Sequence, residues 1–174
     1  MADDCELQAP DTLAVCRRGE TLLLRARGRI TAKHCPGLTD AGECVQKPGI
    51  ERTFAFLGDC TYFDSTFLGT LLNLRRTCPG SCGRTVSLVN PSPACLEILR
   101  QTRTLPLFEL VAEHDLPPDL AWQDVRGEGC DRDAFATHVI SAHETLAEIP
   151  GPLAETFRKV AEAVAAERRA EVSS

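Results

Sequence analysis

Asp64 and Ser65 are the residues whose types and position most clearly suggest a functional site, because they follow a hydrophobic strand and begin an apolar helix. A carboxylate at residue 64 can accept a backbone N–H that the helix start leaves unpaired. The helix dipole also favours negative charge on Ser65 and Thr66 in the first turn. Spacing alone favours a plain hydroxyl that contributes only to capping. A phosphate switch at Ser65 therefore needs support from elsewhere in the sequence.

A second candidate site is the segment from Cys78 to Arg84, whose ends match the Cys-x5-Arg pattern of cysteine phosphatases. That chemistry needs a strand before the loop and a helix after it, so that helix amides bind the phosphate. Here the predicted order is the reverse, which indicates a chance match. Cys78 and Cys82, with His34 or Cys35, form at most one close ligand pair, whereas structural zinc usually needs two. We predict no metal site.

No other pattern predicts an enzyme. His138 and His143 lie five residues apart on a predicted helix and do not share a face closely. No serine lies in a nucleophile elbow, and no glycine-rich phosphate loop is present. Acidic residues 113, 115 and 119 form a solvated run. We expect neither catalysis nor a cofactor.

Composition limits the partners and the compartment. The 174 residues are 43% hydrophobic and 5% aromatic, with a net charge of −6 that argues against a nucleic-acid surface. No run approaches the roughly 20 apolar residues that span a bilayer, and the acidic N-terminus lacks a signal core. We expect a cytoplasmic protein whose nine cysteines are reduced thiols. A metal or redox sensor that uses those cysteines is a weaker alternative.

Hydrophobic periodicity predicts the order β-β-α-β-α-β-α-β, which favours a mostly parallel sheet with helical crossovers. The first helix is expected to begin after Thr31, and Ser92 is expected to cap the third. The predicted strands are 13–17, 22–27, 52–57, 85–89 and 107–111, and the predicted helices are 32–46, 65–77 and 93–101.

Pro117 and Pro118 mark a change in composition, so we predict two parts, residues 1–114 and 115–174. The second part contains two amphipathic helices, one capped by Asp131 and one over 153–170. Each apolar stripe is narrow. We expect the helices to pair across 150–152 and to dock on the first part, beside Trp122, although a partner interface is the alternative.

The segment 62–72 resembles the signature of STAS domains, the bacterial anti-sigma factor antagonist family. Segments 28–32 and 86–93 support the resemblance, which covers roughly residues 12–112. The chain departs from the family pattern at Thr31 and Phe56, where many members carry an acidic residue. It departs again at Arg103, where a glycine is common.

The resemblance implies an α/β fold with a mixed, mostly parallel sheet of four to five strands, helices on one face, and a C-terminal helical extension. It also implies phosphorylation of Ser65 and a partner-switching role in transcription regulation. The implied partners are a serine-kinase anti-sigma factor, which supplies the ATP site, and a serine phosphatase. A constitutive scaffold or adaptor, in a signalling complex or as a lipid-transport accessory, is the alternative. The implied partner-binding residues are Asp64, Ser65, Thr66, Phe67 and Gly69.

Overall fold

A computed structural model describes residues 10–40, 49–76, 86–125 and 131–172. It contains seven strands, five α-helices and two short 3-10 helices within those ranges. The strands are β1 (Thr12–Arg18), β2 (Thr21–Ile30), β3 (Arg52–Phe56), β4 (Cys60–Phe63), β5 (Val86–Val89), β6 (Glu109–Val111) and β7 (Gln123–Asp124). The helices are α1 (Pro36–Asp40), α2 (Ser65–Arg76), α3 (Pro93–Gln101), α4 (Arg132–Ala147) and α5 (Ala154–Val172), with 3-10 helices at Ala32–His34 and Leu105–Leu107.

The sheet is mixed, with the order β6-β5-β3-β2-β1-β7. β1 and β2 are antiparallel, and their connection is short because Gly19 adopts a φ of 58°. β2, β3, β5 and β6 are parallel neighbours joined by helical crossovers. β4 pairs in parallel with the far end of β2. The α/β class and the helical extension predicted from the sequence are confirmed.

The two faces of the sheet are covered differently. Leu24 and Ala55 are adjacent across β2 and β3 and belong to the main hydrophobic core with the apolar side of α2. The next pair, Arg25 and Phe56, points to the other face because side chains alternate along a strand. There, Trp122 lies edge-on to Phe56 and under the Arg25 guanidinium. The segment after β6 therefore covers the face that the helices leave open.

The first crossover differs from the predicted helix over 32–46. A 3-10 turn covers Ala32–His34, and α1 then begins at Pro36, whose missing N–H interrupts a continuous helix. The remainder of that prediction, 41–46, lies outside the described residues, as does the 78–84 cysteine segment. Strands β4 and β7 are absent from the prediction. β4 follows β3 after only three residues and has no alternation of its own, and β7 is only two residues long.

The end of α3 shows why a glycine suits the position that Arg103 occupies. Arg103 has a φ of 57°, a conformation that glycine adopts easily and other residues adopt at a cost. Its N–H donates to the Arg100 carbonyl, and the Thr104 N–H donates to the Leu99 carbonyl, both at 3.0 Å. These two bonds form a Schellman motif, which normally has glycine at this position.

The C-terminal helices pair with each other, and α4 packs on α2 and touches α1. Asp131 caps α4 through the Asp133 N–H, as its position predicts. The expected docking beside Trp122 is wrong, because Trp122 lies on the opposite face of the sheet. We call α4 and α5 the helical hairpin. None of the helices in the described residues is both long and apolar enough to cross a membrane.

Candidate functional site

The start of α2 is held in place by the strand before it. β4 runs beside the end of β2, and the Asp64 N–H donates to the Ile30 carbonyl at 3.1 Å. Phe63, the last residue of β4, is buried and lies 5.7 Å from Phe67, measured between ring centroids. The turn at residue 64 is therefore fixed by both a strand and the core.

Asp64 joins two helix starts. Its Oδ1 accepts from the Phe67 N–H at 3.0 Å, which is the predicted N-cap bond of α2. Its Oδ2 accepts from the Ala32 N–H at 2.6 Å, at the first residue of the 3-10 turn that follows β2. One carboxylate thus satisfies donors from segments 32 residues apart.

Ser65 is hydrogen-bonded to the helical hairpin. Its Oγ lies 2.9 Å from His143 Nε2. The Nδ1 atom of His143 lies 2.8 Å from the Val139 carbonyl, which can only accept, so Nδ1 carries the ring proton in the neutral form. Nε2 is then the acceptor, and the Ser65 hydroxyl donates to it. His143 is only 4% exposed, so the Ser65 hydroxyl bonds to a buried ring.

Further contacts continue along the same side of α2. The Thr70 hydroxyl lies 2.8 Å from His138 Nε2. Asn73 donates to the Ser141 hydroxyl at 3.1 Å and accepts from the Thr145 hydroxyl at 2.5 Å. We call Ser65, Gly69, Thr70 and Asn73 the outer face of α2, since each of them meets α4.

Gly69 permits the close approach of α2 and α4. A Cβ atom added at Gly69 would lie 2.7 Å from the Ala142 Cα and would overlap the Ala142 carbonyl. Ala142 itself is fully buried. The two backbones are therefore in direct contact at this crossing, and only glycine fits on the α2 side.

The structure places the predicted partner-binding residues at three depths. Asp64 and Ser65 are half-buried at the turn, and Gly69 lies beneath α4. Thr66 is 3% exposed, and Phe67 is fully buried in the main core. Phe67 therefore holds the turn in position and offers no surface of its own.

Sequence reasoning missed the two histidines that face α2. The five-residue spacing of His138 and His143 argued against a shared role, yet both rings reach α2. Their partners, Thr70 and Ser65, are also five residues apart on α2. This matched spacing on two helices is a signal, but only once α2 and α4 are known to be neighbours.

The Ser65–His143 pair resembles a nucleophile–base pair only in part. In serine hydrolases a carboxylate orients the histidine and stabilises its charged form. Here the partner of His143 Nδ1 is the backbone carbonyl of Val139. Both oxygens of Asp64 accept backbone N–H groups instead. Among the described residues, the arrangement holds the serine hydroxyl in place, and His143 bonds to a backbone carbonyl where a serine hydrolase has a carboxylate.

Two of the described cysteines, Cys35 and Cys60, are poor nucleophiles. Cys16, Cys35, Cys60 and Cys95 are buried and form no disulfide. Burial raises the pKa of the Cys35 thiol well above its ordinary value, and the nearby charge of Asp64 raises it further. A hydrogen bond with the Cys95 thiol, together with burial, also raises the pKa of Cys60. The protonated thiols of Cys35 and Cys60 therefore neither attack electrophiles nor bind metals readily. The hydrogen bond with Cys60 instead lowers the pKa of the Cys95 thiol to about 7, although burial opposes this shift.

The family model described as "Mlab, STAS domain" matches residues 13–104, more than half of the chain. The chain belongs to the STAS domain family. The matched range includes the Asp64–Ser65 turn and all of α2, and it ends before the helical hairpin begins. The STAS domain thus supplies the site, and the helical hairpin covers it from outside the matched range.

One solved structure agrees with this assignment. The chain is similar to the anti-sigma factor antagonist SpoIIAA in its unphosphorylated form, with a TM-score of 0.51 and 17% sequence identity. The alignment covers 58% of this chain and 89% of that chain. At this identity the similarity establishes the STAS fold alone. No curated protein matches the sequence.

Proposed function

We propose that this protein is a regulatory binding module of the anti-sigma factor antagonist type, switched by phosphorylation of Ser65. The observation that carries the proposal is the location of Ser65 in a STAS domain, at the first residue of α2 and directly after the capping Asp64. The fold similarity to an anti-sigma factor antagonist supports it.

In the proposed circuit, the turn at Asp64 and Ser65 and the outer face of α2 bind a serine-kinase anti-sigma factor. Phosphorylation by that kinase adds about −1.5 to −2 charges at the interface and prevents binding through repulsion and desolvation. A serine phosphatase restores the unmodified form. The N-terminus of α2 favours the phosphate charge, so the domain stays folded in both states.

The test compares Ser65→Asp with Ser65→Ala in calorimetric titration against the kinase captured with the full chain. We expect Ser65→Asp to weaken binding by about ten-fold or more, equivalent to roughly 1.4 kcal/mol. Ser65→Ala should still bind and should resist inactivation by the kinase. Thr61→Asp is the matched control, because Thr61 is exposed on β4 and the substitution adds the same charge close to Ser65 in the chain. Equal affinities for both Ser65 variants would overturn the switch.

One observation favours a second candidate, a constitutive adaptor in a signalling or transport assembly. The Ser65 hydroxyl is already hydrogen-bonded to His143, and α4 occupies the outer face of α2. In an adaptor this closure would be permanent, and Ser65 would never be modified. Mass spectrometry of the protein from its own cells, under growth and stress conditions, distinguishes the two. Absence of phosphate at Ser65 under every condition would favour the adaptor.

A further inference from the structure

The helical hairpin occupies the surface that the proposed function requires. His143 covers the Ser65 hydroxyl, His138 bonds to Thr70, and Ala142 lies against Gly69. A kinase must reach the Ser65 hydroxyl and take its proton, which is donated to His143 in this arrangement. A partner that binds the outer face of α2 must occupy the space that α4 fills.

The contacts between α2 and α4 are of a kind that can be exchanged. They pair hydroxyl, amide and imidazole groups, each of which can bond to water or to another protein once α4 leaves. A neutral hydrogen bond contributes only about 0.5–1.5 kcal/mol net, so no single pair makes the closure permanent. Polar contacts of this type are common at interfaces between parts of a chain that move relative to one another.

The STAS domain has its sheet and its three helices without the helical hairpin. All seven described strands and α1 to α3 precede residue 126, and the matched family range ends at residue 104. The helical hairpin adds no strand to the sheet. Its link to the core consists of a few apolar side chains, chiefly Leu146 and Phe157. Detachment would therefore uncover α2 and leave the sheet intact.

We propose that the helical hairpin is an autoinhibitory lid, which binds α2 in cis and competes with the partner for Ser65 and the outer face of α2. The inference rests on the proposed function for its regulatory meaning. At Gly69 the backbone of α4 approaches α2 directly, and the residue of α4 at that point is the small Ala142. We therefore infer that the competing partner element is a helix with a small residue opposite Gly69. It also carries hydrogen-bonding side chains that replace His143 and His138.

The first arm of the test measures lid opening without any partner. Hydrogen–deuterium exchange on the full chain compares Ala142→Glu with Ala134→Glu, a matched control because Ala134 is exposed on the same helix. In the wild type we expect amides of α4 and α5 to exchange faster than those of β2 and β3. Ala142→Glu should accelerate exchange in the helical hairpin by at least about ten-fold, with β2 and β3 still protected. Equal protection of the helical hairpin and the sheet in the wild type would overturn the lid.

The second arm measures regulation with the captured kinase. Ala142→Glu should raise the rate of Ser65 phosphorylation and the affinity for the kinase by about ten-fold or more, because affinity scales with the fraction of open protein. Ala134→Glu should change neither. If the helical hairpin opens and both quantities stay at the wild-type value, the lid does not regulate binding. If the kinase binds no variant at all, the proposed function fails, and the exchange arm alone decides whether the helical hairpin detaches.

Loss of protection in β2 and β3 would mean that Ala142→Glu unfolds the domain. Gly69→Ala then replaces it in the exchange arm, since its added Cβ creates the same overlap from the α2 side. It is not used in the kinase arm, because Gly69 belongs to the proposed partner surface. Wild-type exchange in a folded Gly69→Ala variant would overturn the close contact on which the lid depends.

Discussion

Asp64 has a structural role that can be measured without knowing the partner. Its two carboxylate oxygens accept separate backbone N–H groups, from Phe67 at 3.0 Å and from Ala32 at 2.6 Å. Alanine would remove both bonds. Loss of the N-cap costs about 0.5–2 kcal/mol. Loss of a charged acceptor from a partly buried donor costs about 1–3 kcal/mol, so we expect Asp64→Ala to lower stability by about 2–4 kcal/mol.

Asp64→Asn separates the two contributions. Asparagine caps a helix about as well as aspartate, but its amide has only one oxygen and cannot accept both bonds. We expect it to retain the Phe67 bond, lose the Ala32 bond and lower stability by about 1–2 kcal/mol. Asp59→Asn is the control, because the Asp59 carboxylate is 73% exposed and its pairing with Arg27 at 3.4 Å contributes little.

Urea unfolding followed by circular dichroism provides the measurement. With a typical m-value, the expected loss for Asp64→Ala shifts the midpoint by roughly 1–2 M, and the asparagine variant should fall between it and the wild type. Asp59→Asn should unfold like the wild type. An asparagine variant as stable as the wild type would show that the Ala32 bond contributes nothing. An alanine variant as stable as the wild type would refute both roles.

Three further predictions concern the rest of the chain. Burial lowers the pKa of His138 below its ordinary value of 6.5, so near this pH the unfolded chain binds more protons than the folded protein. The free energy of unfolding should therefore fall as the pH drops below about 6.5. Urea titrations at several pH values should show that His138→Asn reduces this dependence of stability on pH. Arg103→Gly should stabilise the domain by up to about 1 kcal/mol by relieving its positive φ, and an unchanged or lower melting temperature would contradict this. Truncation after Pro118 should lower the melting temperature and increase aggregation. Truncation after Val125 should lower the melting temperature less, because that variant keeps β7 paired with β1. Equal melting temperatures for the two truncated proteins would show that β7 contributes no stability.

Local signals in the sequence predict the elements well and their ends less well. The N-cap of α3 follows from Ser92 and Pro93 alone, and the structure shows Ser92 accepting from the Cys95 N–H at 3.2 Å. Periodicity likewise places α2 within one residue of its observed end. β4 escapes prediction because it follows β3 after a three-residue connection and has no alternation of its own. Its four residues are held by pairing with β2, which periodicity cannot report.

The contacts of the candidate site differ in the same way, since local contacts can be predicted from the sequence and contacts between distant elements cannot. The bond from Asp64 to the Phe67 N–H spans three residues and can be predicted from helix chemistry. The bond from Asp64 to Ala32 spans 32 residues, and the bond from Ser65 to His143 spans 78. These two contacts depend on how separate elements pack. A signature motif points to Ser65, but His143, which bonds to it, lies outside the matched family range.

Gly69 links the stability of the lid to the sensitivity of the proposed switch. Glycine inside a helix costs about 1 kcal/mol relative to alanine, yet here alanine would overlap the Ala142 backbone. Because the outer face of α2 binds α4 in cis and the proposed partner helix in trans, the two complexes exclude each other. Every 1.4 kcal/mol of lid stability then lowers the apparent partner affinity about ten-fold. Substitutions at positions of α4 that contact α2, such as Ala142, therefore tune the proposed switch without changing Ser65 itself.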